Sequence, residues 1–136
     1  LPTVQRSALS SAGETAGVVP FTIDLTSCTP GADVSVYFEK DQYVSTEGRL
    51  KNTLSDGTEA ENVDVELLNT RFTPINLAET PAVAADGKVA RLEAIPVAVA
   101  EQDGSASLPF YARYYATDAA TAGKVATYVN FTVVYP

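Results

Sequence analysis

The chain has 136 residues, 46% of them hydrophobic and 19% charged, which is enough for one domain around a single core and unlike a disordered composition. Its net charge of −8 works against nucleic acid and anionic lipid as partners, since both need clustered cations. No apolar stretch approaches bilayer-spanning length, so insertion into a membrane is not expected, and residues 1–136 are read as a single domain.

There is no Met, and no basic-then-apolar leader precedes Leu1, so the chain is expected to begin partway through a longer precursor. Ser7 to Gly13 is the only stretch expected to form a helical turn. From Val19 onward the dominant period is two, the mark of half-buried strands. Phe21, Ile23 and Leu25 share one face, with Thr22, Asp24 and Thr26 on the other. After the turn signal Thr29-Pro30-Gly31, the residues Val34, Val36 and Phe38 repeat the pattern. Val63, Val65 and Leu67 alternate with Asp64 and Glu66. Leu108, Phe110, Ala112, Tyr114 and Ala116 alternate with Pro109, Tyr111, Arg113 and Tyr115. Asp56-Gly57, Asp86-Gly87 and Asp103-Gly104 supply the positive φ that tight hairpin connections require. Leu77 to Ala85 and Thr117 to Gly123 read as loops. Many short strands with frequent turns predict an all-β antiparallel sandwich.

Catalytic chemistry is hard to find in this sequence. Histidine is absent, and there is no nucleophile elbow, no glycine-rich phosphate loop and no paired-cysteine motif. Every Asp and Glu occupies a position expected to face solvent or a turn, so no carboxylate pair is expected to work as acid and base. No catalytic residue, metal ligand or cofactor is assigned. Asn130-Phe131-Thr132 fits a glycosylation sequon, but a glycan inside a predicted strand would obstruct pairing, and the match is read as coincidental. Cys28 is the only cysteine and cannot form a disulfide within these residues. It is either a small buried hydrophobe or, in a secreted protein, half of a bond whose partner lies elsewhere.

The final run, Val129, Phe131, Val133 and Tyr135, alternates with Asn130, Thr132 and Val134 and is expected to point its first set into the core. The bland reading is an ordinary edge strand that closes the sandwich.

Taken together, these segments resemble the major subunits of type 1-like chaperone–usher fimbriae over nearly the whole chain. Leu1-Pro2-Thr3-Val4, followed by Ser7-Ala8-Leu9 and Gly13, resembles the segment after the first strand of those pilins. Phe21 through Cys28 is similar to their second strand, which ends in a cysteine. Val63 through Leu68 is similar to a mid-domain strand, and Leu108 through Thr117 to the penultimate one. The C-terminal signature is the most specific: Gly123 is the fourteenth residue from the end and Tyr135 is the penultimate one.

The resemblance implies an immunoglobulin-like sandwich that lacks its last (G) strand and is completed by a donor strand from another chain. It implies that Gly123, Val129, Phe131, Val133, Tyr135 and Pro136 form the groove that receives this strand. The implied partners are neighbouring pilin subunits, a periplasmic chaperone and an outer-membrane usher. The implied location is the extracellular fimbria, reached through the periplasm, where the fibre attaches cells to surfaces or hosts. Family members begin with a donor extension and a cysteine-bearing first strand, and this chain has neither, so Cys28 is expected to be a disulfide half whose partner is missing. The alternatives are a minor or tip subunit that binds a host glycan or protein, and an unrelated secreted β-sandwich with an intact sheet.

Overall fold

The structure, a computed structural model, describes residues 1–78 and 97–135. The expected Asp86-Gly87 turn, Pro136 and the loop beyond Ala78 lie outside the described residues. A 3-10 helix, Arg6–Leu9, precedes strands β1 (Thr15–Leu25), β2 (Asp33–Phe38), β3 (Leu50–Lys51), β4 (Val63–Leu68), β5 (Val97–Ala98), β6 (Ala106–Ala116) and β7 (Phe131–Val134). The strands pair antiparallel in two sheets, ordered β1-β6-β4-β3 and β5-β2-β7.

The alternation read from the sequence sets this arrangement. Phe21 pairs with Phe110 and Ile23 with Leu108 across β1 and β6, so the apolar sets of both strands fall on one face. The Phe110 ring stacks on Phe21 at 5.4 Å and meets Phe38 of the other sheet edge-on at 5.1 Å. Val36, Phe38, Val65, Leu67 and Leu108 fill the space between the sheets and are buried. The two prolines within described strands lie where no ladder bond is lost. Pro20 is on β1, an edge strand, and Pro109 precedes Tyr111, where β4 begins to pair with β6.

Several expectations shift. The helical turn forms at Arg6–Leu9, earlier than Ser7 to Gly13, because Leu9 is the residue that packs into the core. Strand β1 starts at Thr15, with a register shift between Ala16 and Val19 where Gly17 adopts φ 71°. Gly57 and Gly104 do take positive φ, at 92° and 70°. The final strand is shorter than expected, beginning at Phe131.

The expectation that every carboxylate faces solvent is wrong for Asp64 and Glu66, which are buried. They lie on the outer face of β4, which sits between β6 and β3 in the sheet. There Arg49 pairs with Asp64 at 3.3 Å, and Arg113 donates from Nε to Glu66 at 2.9 Å and also pairs with it through Nη2 at 2.6 Å. Arg49 also lies over the Tyr115 ring at 3.9 Å. Burial pushes the Asp64 carboxyl above its ordinary value, with the Arg49 hydrogen bond and charge acting against that shift.

Candidate functional site

The three-stranded sheet ends on β7, and among the described residues no strand pairs with its outer edge. Its inner neighbour is β2, with Phe131 opposite Phe38 and Val133 opposite Val36. Directly opposed residues of an antiparallel pair share a face, so Phe131 and Val133 lie on the side that carries the core residues Val36 and Phe38. Their partners on β2 are 1% and 0% exposed, whereas Phe131 and Val133 are 43% and 39% exposed. They face the interior as expected from the pattern, but described residues do not cover them. Tyr135, one residue past the strand, is also exposed, and its hydroxyl oxygen accepts the Thr29 N–H at 3.1 Å.

The chain reaches β7 through an extended segment whose position is fixed from outside. Asn52 anchors it: its Nδ2 donates to the Lys124 carbonyl at 2.7 Å, and its Oδ1 accepts the Ala126 N–H at 3.1 Å. Thr53 donates to the Ala126 carbonyl through both its N–H and its hydroxyl. Gly123 passes so close to the backbone of Glu59 and Ala60 that no β-carbon fits there. Val125 and Val129 turn inward and pack on the core, while Ala126 and Tyr128 stay exposed.

Between this segment and the N-terminal residues lies a groove that reaches the sandwich core. Its wider part, about 950 Å³, is bordered by Val4, Leu9, Val63 and Gly123. Its narrower part, about 380 Å³, is bordered by Leu50, Val65, Leu67 and Val129. The two parts share Leu1, Tyr114, Val125 and Ala126 and so lie side by side along the segment. The Tyr114 hydroxyl donates to the Pro2 carbonyl at 2.9 Å and tethers the N-terminal segment, and burial raises its pKa.

Of the residues singled out in the sequence, Gly123 and Val129 border the groove, Phe131 and Val133 lie on β7, the strand that follows, and Tyr135 is the next residue after it. Pro136 is outside the described residues. Cys28 is apart from the groove. It is half-buried against Val34, Val99 and Ala106, and its N–H donates to the Gly104 carbonyl at 2.9 Å. Sequence reasoning missed Asn52, whose only signal was a polar residue among loop residues, and Tyr114, which the alternation assigned to the core. Among the described residues, no cluster of acidic, cysteine or histidine side chains could hold a metal, and no helix is long and apolar enough to cross a membrane. Chemically, the arrangement presents apolar surface and, among the described residues, a strand edge with no strand paired to it.

The comparisons place this all-β sandwich in a family. The family described as FimA, type-1 fimbrial protein A, matches residues 1–136, and the chain belongs to it. The major fimbrial subunit SMF-1 of Stenotrophomonas maltophilia is 42% identical over 136 residues, covering 99% of this chain and 76% of that protein. The minor fimbrial subunit HifD of Haemophilus influenzae is 37% identical over 142 residues, covering 99% of this chain but only 61% of that protein. The crystal structure of an antigen and type I fimbria protein from Burkholderia pseudomallei superposes with a TM-score of 0.61 at 26% identity, covering 96% of this chain and 76% of that one. The protein is a structural subunit of the fimbrial family and not an enzyme.

Proposed function

We propose that the groove receives an extended strand from another chain and that the protein builds the shaft of a surface fimbria by this exchange. One observation carries the reading: Phe131 and Val133 stand on the core side of β7, in register with Phe38 and Val36, yet are 43% and 39% exposed. A strand laid along the free edge of β7 would pair its backbone groups and cover these side chains. Full burial of a Phe or Val is worth roughly 1.5–3 kcal/mol, so covering what is still exposed adds about 1 kcal/mol for each. Gly123, Val129, Phe131, Val133, Tyr135 and Pro136 are the groove residues in this reading.

In the assembly that the family resemblance implies, a periplasmic chaperone supplies the strand first and a neighbouring subunit replaces it at the usher. Head-to-tail contacts of this kind do not close on themselves, so they extend into a filament. Cys28 pairs, in the same reading, with a cysteine outside these 136 residues. The 42% identity to a major subunit favours a place in the shaft, while the 37% identity to a minor subunit supports the second reading, a minor or tip subunit.

The test is thermal unfolding of the chain with and without a synthetic peptide of alternating apolar residues. A large rise in Tm, with release too slow to follow on the assay timescale, is expected. A high Tm without peptide and no response to it would instead mean a closed sandwich that takes no strand. Glycan-array binding by the peptide-filled chain would move the assignment to the tip.

A further inference from the structure

Among the described residues, one buried side-chain polar atom has no hydrogen-bond partner, the hydroxyl oxygen Oγ1 of Thr127. Thr127 lies on the inward side of the segment between Val125 and Val129, where it borders the narrower part of the groove. Its apolar wall includes Leu50, Val65, Leu67 and Ala112, none of which offers a side-chain hydrogen bond. Two other hydroxyls border it: that of Tyr114 is engaged with the Pro2 carbonyl, and that of Tyr128 belongs to an exposed side chain.

A valine at position 127 would keep the shape of this wall and remove the unpaired hydroxyl. For the free chain, then, threonine is the poorer residue, because a buried hydroxyl without a partner is costly. It becomes the better residue only when a partner for the hydroxyl enters the groove. One staggered step about χ1 carries Oγ1 to the place the methyl group held, moves the methyl to that of the β-hydrogen, and leaves the backbone where it is.

We propose that Thr127 is a specificity-determining residue of the groove. Its hydroxyl selects an incoming strand that carries a hydroxyl or carboxamide side chain at the one inward position opposite it, with apolar side chains at the other inward positions. This rests on the strand-accepting reading and adds a register to it. An all-apolar strand would leave the hydroxyl unpaired at every register, whereas the matched strand satisfies it at one register alone.

The experiment is a competition assay with the whole chain and a panel of synthetic strands. The parent peptide has alternating valine and leucine at its inward positions, and each member replaces a single inward residue by threonine. At one position the replacement is expected to strengthen binding or leave it within about threefold, and at the others to weaken it about tenfold, as loss of a buried apolar contact predicts. In Thr127→Val that tolerated position is expected to join the rest, and Thr127→Ser, which keeps the hydroxyl, to restore it. Equal weakening at every position in the unaltered chain, or the same profile in Thr127→Val, would overturn the inference while leaving the groove reading intact. Failure of every peptide, the all-apolar parent included, would overturn both.

Discussion

Gly123 runs against the backbone of Glu59 so closely that a β-carbon on it would stand 2.5 Å from the Glu59 carbonyl carbon and 2.6 Å from the oxygen. Its φ is not in the left-handed region, so the requirement here is space and not backbone freedom. The contact holds the start of the final segment against the loop that also carries Asn52, and the groove forms on the other side of that segment. Gly123→Ala must push the two backbones apart. We expect a loss of about 1–3 kcal/mol in denaturant unfolding, the usual cost of overpacking where nothing flexible can give way. An unchanged midpoint would show that the segment moves freely and does not define the groove.

Tyr135 pins the other end. Its hydroxyl takes the Thr29 N–H at 3.1 Å across 106 residues of chain, joining the last residue described to the loop after β1. Tyr135→Phe removes the acceptor and leaves the ring. Because the bond is exposed, global stability should fall by less than about 1 kcal/mol. The sharper effect is local: faster amide exchange at Thr29, with the β1–β6 ladder unaffected. Unaltered exchange at Thr29 would count against the latch.

Much of this was legible in the sequence because a period of two leaves few choices. The apolar faces of Phe21 to Leu25 and Leu108 to Ala116 pair in register with each other, and Val36 and Phe38 of the second sheet pack against them in the same core, as the alternation requires. Strands β3 and β5 were illegible, since two residues carry no period. The burial of Asp64 and Glu66 was also hidden. Alternation puts a side chain on the outer face but says nothing about whether Arg49, the residue before β3, with Arg113 and Tyr115 of β6, will cover it. Of the residues proposed to receive a strand, Val129, Phe131 and Val133 stood out by pattern. Thr127 did not, because a threonine in an extended segment is unremarkable until its hydroxyl is found without a partner.

Phe131→Asp separates the groove from the core. Since Phe131 is 43% exposed, the free chain should lose only about 1–2 kcal/mol and remain folded. Strand binding should be abolished, because an incoming strand would have to bury an unpaired carboxylate. The peptide-dependent rise in Tm is the readout, with circular dichroism confirming the fold. Normal binding or normal fibre assembly by this variant would remove Phe131 from the groove.

Asp64 gives a pH dependence with a definite sign. Burial raises its folded-state pKa above the unfolded value of about 3.9, so the folded chain binds this proton more tightly than the unfolded chain does. The resulting stabilisation is complete below the unfolded value and is lost as pH rises through the folded one. Glu14, Glu47, Asp56 and Asp103 are shifted the opposite way by hydrogen bonds from nearby Ser and Thr groups, and their contribution is instead lost as pH falls. Glu14, Asp56 and Asp103 are common to the unaltered chain and to Asp64→Asn and cancel in the difference between the two, while Glu47, whose charge repels that of Asp64, acts in the same direction as burial. That difference should move in favour of Asp64→Asn as pH is raised from about 3 to about 6, and then level off. Chemical denaturation of both proteins across this range checks it. A difference that moves toward the unaltered chain would mean that the Arg49 pair, at 3.3 Å, outweighs the cost of burying the carboxylate.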